Sequence, residues 1–208
     1  DAGRTTVGAA TPLAALEDND ALAFLWPALA AIASPTIRNM ATVGGNLFAK
    51  APYGDFAACL IALGATATIS GASGERIEPV ERTVAGVAPG EVVTHLSFPL
   101  PAAGAFRFAK AGRKALNSGA VVTVAAVVEV AGGTVVNCRI GLGGVARHAV
   151  RAVSAETALN GKPFDRAHVE QAGEAALADI DPADDAYASA WYRRRVTPIH
   201  IRRALLGE

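Results

Sequence analysis

The chain has 208 residues, 51% apolar and only 18% charged, with Lys plus Arg balancing Asp plus Glu at 19 each. This suits one large or two small packed domains, and it excludes a disordered, charge-solvated chain. The even charge leaves no footprint for nucleic acid or an anionic membrane. No signal peptide is evident and no apolar run reaches the ~20 residues of a membrane span, so a soluble, cytoplasmic protein is the expectation.

Residues 4 to 9 predict a strand, after which Pro12, following the N-cap Thr11, opens a helix that Asp18, Asn19 and Asp20 end. A second apolar helix is expected over 21–33, with Pro27 as a kink or boundary and Trp26 in the core. The stretch SPTIRNMATVGGN, residues 34–46, follows. Gly44 and Gly45 allow positive φ and let a ligand approach the main chain without meeting a Cβ atom. Successive N–H groups there would form a nest for an anion, phosphate above all, flanked by Thr42 and Asn46; the alternative is a plain Gly-Gly turn. Asp55 then either caps the apolar helix DFAACLIAL or faces a ligand.

ATATIS and RIEPV around GASG read as a hairpin, and EVVTHLSFPL as a further strand ending in a Pro-rich segment. A boundary is expected at 99–104, dividing the chain into domains 1–101 and 102–208. Three strands follow, FRFAKAG, AVVTVAAVVEV and TVVNCRIGLG, the last two joined at Gly132 and Gly133 as a hairpin. The remainder is helical: SAETALNG ending on Gly161, RAHVEQAGEAALADI, and a last helix from SAWYRRR to RRALLGE in which Pro198 leaves continuity open. Its five arginines read as an anion site, a solvated stripe or a partner-facing one.

Cys59 and Cys138 lie in apolar runs far apart and read as buried thiols. The four histidines show no metal-site spacing, so any metal centre is expected on a partner. No catalytic triad, Cys nucleophile, carboxylate pair or P-loop Lys is present at persuasive spacing. The chain thus offers no side-chain chemistry of its own, which agrees with a protein that positions and tunes a cofactor.

The order IRNMATVGGN, then Asp55, then Lys110 and Arg113 of FRFAKAGR, then Tyr192, Arg193 and Arg194 with RRAL near the end, resembles a known family. It is the flavin-binding medium subunit of the molybdenum-containing hydroxylases, the family of xanthine dehydrogenase and aerobic carbon monoxide dehydrogenase. The resemblance covers nearly the whole chain. It implies an α+β fold: an antiparallel-sheet FAD-binding subdomain, then a C-terminal domain of a three-stranded antiparallel sheet plus a helical bundle. It also implies FAD contacts at Thr42, Val43, Gly44, Gly45, Asn46 and Asp55, and flavin neighbours at Val92 and Val93. Lys110 would lie near the flavin ring, stabilising the reduced anionic form or meeting an acceptor; the alternative is a solvated strand-end charge.

The implied partners are a large subunit with the molybdenum cofactor and a small subunit with [2Fe-2S] clusters, electrons passing through FAD to NAD, oxygen or a quinone-linked acceptor. Two departures stand out. Where many relatives read N-x-A-S-P-x-x-D, this chain has LFAKAPYGD, with Lys50 and Tyr53 replacing small residues in the pocket wall. Relatives also carry a preceding subdomain with a second Gly-rich loop, unmatched here, which implies a fragment or a site completed from elsewhere. A stand-alone FAD oxidoreductase and a cofactor-free scaffold are the other readings.

Overall fold

The computed structural model describes residues 3–114 and 117–208. Strand β1 (Arg4–Gly8) leads through two 3-10 turns, Leu13–Leu16 and Asp20–Leu25, into helices α1 (Trp26–Ala30), α2 (Pro35–Met40), α3 (Val43–Leu47) and α4 (Asp55–Ala62). Then come β2 (Thr66–Gly71), β3 (Gly74–Pro79), the turn of helix α5 (Val80–Thr83) and β4 (Val92–Pro99). The four strands form one antiparallel sheet in the order β1-β4-β2-β3, with the β2–β3 hairpin at its edge.

The second half holds β5 (Phe106–Gly112), β6 (Ala120–Ala131), β7 (Thr134–Gly143) and β8 (Val150–Arg151), then α6 (Val153–Leu159), α7 (Arg166–Ala175) and α8 (Ala190–Leu206). This sheet is an antiparallel meander, β5-β6-β7-β8. The expected three strands are therefore four: β8 has two residues, too few for any alternating pattern to reveal it. Gly132 and Gly133 both take positive φ, 56° and 78°, as a two-residue hairpin turn requires.

Strand β6 explains its own unbroken apolar sequence, because both of its faces are covered. Ala125 and Val127 join the core shared with the first sheet, whereas Val122, Val124, Ala126 and Val128 join the core beneath the terminal helices. Helix α4 is buried along all eight residues and packs on β6 and β7. It sits so close that a Cβ atom on Gly141 would overlap the Ala58 carbonyl oxygen. Arg139 fastens its far end by donating to the Ile61 carbonyl at 2.6 Å. The two cysteines are buried, as expected, and burial pushes the Cys138 thiol up to about 12.

Several local expectations shift. Pro12 opens a single 3-10 turn rather than a longer helix, and the run 21–33 divides at Pro27, which lies in the first turn of α1 where a missing N–H costs nothing. Trp26 is 43% exposed and not a core residue. Helix α8 runs unbroken through Pro198, whose backbone packs against Gly173 of α7, where a Cβ would come within 3.0 Å of the Pro198 carbonyl.

The arginines of α8 form no common anion site. Arg193 is buried and donates to the carbonyls of Ala120, Val121 and Gly144 at 2.9, 2.7 and 2.5 Å, and through two bonds to Asp185. Arg194 donates to the Ile180 carbonyl at 3.0 Å, Arg195 lies over the Trp191 ring, and Arg202 meets Glu170 at 3.0 Å. Among the described residues no helix is long and apolar enough to cross a membrane, and no group of His, Cys, Asp and Glu is arranged to hold a metal.

Candidate cofactor site

A cavity of about 530 Å³ opens where the segment after α1, the start of α4, strand β5 and the loop before α8 meet. Its charged wall begins at Asp55. Gly54, with φ 88°, turns the chain into α4. The side chain of Asn46 then caps that helix, its Oδ1 accepting from the Phe56 N–H at 3.1 Å. The capping role considered for Asp55 is thus taken by Asn46, and the Asp55 carboxylate is free to face β5 and β6. There Lys110 donates to it at 2.6 Å and Thr123 donates through its hydroxyl. Lys110 also donates to the Ala31 carbonyl at 2.9 Å, so two of its three N–H groups are used inside the protein. Both side chains of the pair are nearly buried, which replaces the picture of Lys110 as a solvated strand-end charge.

The glycine stretch is built differently from a nest. Thr42 caps α3, its Oγ1 accepting from the Gly45 N–H at 3.0 Å. The N–H groups of Val43, Gly44 and Asn46 donate to the carbonyls of Thr11, Ala9 and Thr42 at 2.9, 2.8 and 2.9 Å. Neither glycine takes a positive φ. All four N–H groups are therefore satisfied within the fold, and the expected concavity of free donors is absent there. Gly44 is needed for packing: a Cβ would stand 2.8 Å from that of Ala9.

Of the residues expected to touch a cofactor, Asn46, Asp55 and Lys110 line this cavity together. Thr42 and Gly45 stand at the start of α3, outside that wall, with Gly45 exposed and the Thr42 hydroxyl proton left for another partner. Val43, Gly44 and Val93 are buried, Val93 opposite Ile69 in the first sheet, while Val92 is exposed. Arg113 is drawn away to the Ala186 carbonyl at 3.0 Å.

Sequence reasoning missed Ile37, Ser118 and Tyr187, which complete the wall. No motif marks Tyr187; it arrives from a loop 134 residues beyond Tyr53, and the two hydroxyls meet at 2.7 Å. Their hydrogen bond, followed by burial, pushes the Tyr53 hydroxyl above its ordinary value.

The donor set fits FAD in kind. Ile32, Ala33, Ile37 and Ala41 supply apolar surface, and Asn46, Asp55 and Lys110 supply polar and charged groups to the same wall. An apolar wall with a few polar groups, at this volume, is the usual make-up of a cofactor pocket.

Comparison with known proteins agrees with that chemistry. The profile of the FAD binding domain in molybdopterin dehydrogenase matches residues 1–101, and that of the CO dehydrogenase flavoprotein C-terminal domain matches residues 106–207. The carbon monoxide dehydrogenase medium chain of Afipia carboxidovorans is 32% identical over 96% of this chain and 72% of its own length. The chain belongs to the FAD-binding medium-subunit family of the molybdenum hydroxylases.

Two solved structures carry the same fold as this medium subunit. Carbon monoxide dehydrogenase from Hydrogenophaga pseudoflava, in a form lacking the Mo-pyranopterin moiety, superposes with a TM-score of 0.92 at 31% identity, covering 99% of this chain and 75% of that one. Quinoline 2-oxidoreductase from Pseudomonas putida 86 gives a TM-score of 0.87 at 28% identity, covering 100% of this chain and 75% of that one. Members of the medium-subunit family serve multi-subunit oxidoreductases with a molybdenum cofactor. The expectation that an FAD subdomain is missing finds no support, since the FAD-binding profile matches from residue 1 to 101.

Proposed function

We propose that this chain holds FAD in the cavity walled by Asn46, Asp55 and Lys110 and acts as the electron-transfer subunit of a molybdenum-containing hydroxylase. In this reading a small partner subunit with [2Fe-2S] clusters delivers electrons, a large partner subunit carries the molybdenum cofactor, and an external acceptor receives the electrons. The FAD-binding part runs over 1–101 and the C-terminal part over 102–208.

The observation that carries the proposal is the nearly buried Asp55–Lys110 pair in the wall of a ligand-sized cavity. FAD, when bound, supplies the redox chemistry. Lys110 places a fixed positive charge at the wall, and in a water-poor site such a charge favours a guest that gains negative charge. Asp55, itself held by the Thr123 hydroxyl, and the Ala31 carbonyl hold the ammonium in place, so little reorientation is needed when the guest's charge changes. Asn46 and the Thr42 hydroxyl add donors on the glycine-loop side, while Gly45, exposed and lacking a Cβ, leaves room for close approach.

The two solved relatives are named for carbon monoxide and for quinoline, which are chemically unrelated, yet share this fold in the flavoprotein subunit. Substrate choice is accordingly assigned to the molybdenum subunit. The test is an absorption spectrum with metal analysis of the complex recovered from its host by a tag on this chain. Flavin, iron-sulfur bands and molybdenum together are the expected result; a complex holding none of the three would overturn the proposal.

A further inference from the structure

We propose that Tyr53 and Tyr187 form a latch at the rim of the cavity, and that their phenol pair sets how fast FAD leaves. This rests on the reading of the cavity as the FAD site. Both tyrosines line it, one from the loop before α4 and the other from the loop before α8. Their hydroxyls are 2.7 Å apart and their rings meet edge to face, centroids 6.1 Å apart at 83°. The pair therefore bridges two segments that enter the cavity wall from opposite halves of the chain.

The two halves are anchored unequally. Tyr187 is a fixed post. Its backbone N–H donates to Asp185 at 2.8 Å, and Asp185 is itself held by two bonds from the buried Arg193. Its ring packs against Gly119, where a Cβ would lie 3.0 Å from the ring and 2.8 Å from Pro52. Tyr53 is the lighter half: among the described residues its side chain makes one hydrogen bond, the one to Tyr187, and the residue is 55% exposed. Separating the hydroxyls would free Tyr53 to swing outward while Tyr187 stays. Each phenol can donate or accept, so the pair closes without any third group.

The strength of the latch follows from the exposure of that bond. A net hydrogen bond of this kind shifts an equilibrium by roughly 2- to 10-fold. That is enough to change residence time and too little to unfold the chain.

The experiment is FAD release from the assembled complex after dilution into excess apo-acceptor protein, followed by the rise in flavin fluorescence. It compares wild type, Tyr53→Phe, Tyr187→Phe and the double variant. Phenylalanine keeps each ring and removes only the hydroxyl. Each single variant is expected to release FAD about 2- to 10-fold faster. The double variant should be no faster than the faster single one, because the same bond is lost once.

Urea midpoints of the FAD-free proteins supply the readout that separates the latch from a larger structural role: any shift should be no greater than the loss of one exposed hydrogen bond and the same in all three variants. Release rates unchanged in all three variants overturn the latch while leaving the FAD site standing. Rates that multiply in the double variant also overturn it, since the hydroxyls would then act separately. A wild-type complex with no FAD overturns both readings together.

Discussion

Lys110 on β5 donates a 2.6 Å hydrogen bond to Asp55 in the first turn of α4, so one nearly buried ion pair ties the second sheet to the helix at the centre of the molecule. Removing one partner leaves the other charge in a site built for two. Lys110→Met is expected to cost about 3 kcal/mol, measured as a shift of the urea midpoint. The double variant Asp55→Asn with Lys110→Met should recover part of that loss, because no unpaired charge then remains. Both proteins should have lost at least tenfold in FAD affinity, measured by titration of flavin fluorescence.

Gly44 and Gly45 are adjacent but do different work. Gly44→Ala drives a Cβ against Ala9 at 2.8 Å and should destabilise the fold by about 1–3 kcal/mol. Gly45 is exposed, and a Cβ there meets only the Thr42 hydroxyl at 3.0 Å. Gly45→Val should therefore cost only about 1 kcal/mol, through disturbance of the Thr42 cap, yet release most of the FAD. Thermal melts set beside flavin-to-protein absorbance ratios separate the two outcomes. A Gly45→Val protein that keeps stoichiometric FAD would remove the glycine loop from the site.

Gly141 allows α4 to rest directly on β7. A Cβ at this position overlaps main-chain atoms of Ala58, which cannot swing aside as a side-chain tip would. Gly141→Ala should accordingly destabilise by about 3 kcal/mol or more, detectable as a lowered melting temperature. Gly161→Ala is the contrast. That glycine ends the α6 region with φ 76° and open space around it, so only backbone strain of about 1–2 kcal/mol is expected.

The Asp185–Arg193 link should give way on acidification. Burial alone would raise the Asp185 carboxyl, but the N–H groups of Ala188 and Tyr187 and the Arg193 guanidinium outweigh it and hold the group below the usual carboxylate range. A carboxyl depressed in the folded state contributes its full stabilisation above the unfolded value, about 3.9, and loses it as pH falls through the lower folded value. Wild type should thus exceed Asp185→Asn in stability by a constant margin between about pH 5 and 7, with the gap closing below about pH 4. Urea midpoints measured across that range check it; a gap that widened toward low pH would contradict the pairing.

Local chemistry made much of the fold legible. The β2–β3 and β6–β7 hairpins follow from alternating or β-branched runs with glycine turns between them, and both formed where expected. Resemblance supplied Asn46, Asp55 and Lys110, which the fold gathers on one cavity wall. Elsewhere the pattern was silent or misleading. A two-residue strand such as β8 carries no period. The Gly44–Gly45 pair suggested a nest of free N–H groups, whereas the carbonyls of Ala9 and Thr11 and the Thr42 cap had already claimed those donors.

The sequence by itself determined the hairpins and the interior thiols, because each depends on residues close together in the chain or on composition. The tertiary structure decided everything that required distant segments to meet. It paired Lys110 with Asp55, sank Arg193 beneath three carbonyls and brought Tyr187 to Tyr53. The reason is that a charge or hydroxyl is read as solvated until a partner is placed beside it. Here those partners lie between 49 and 134 residues away along the chain.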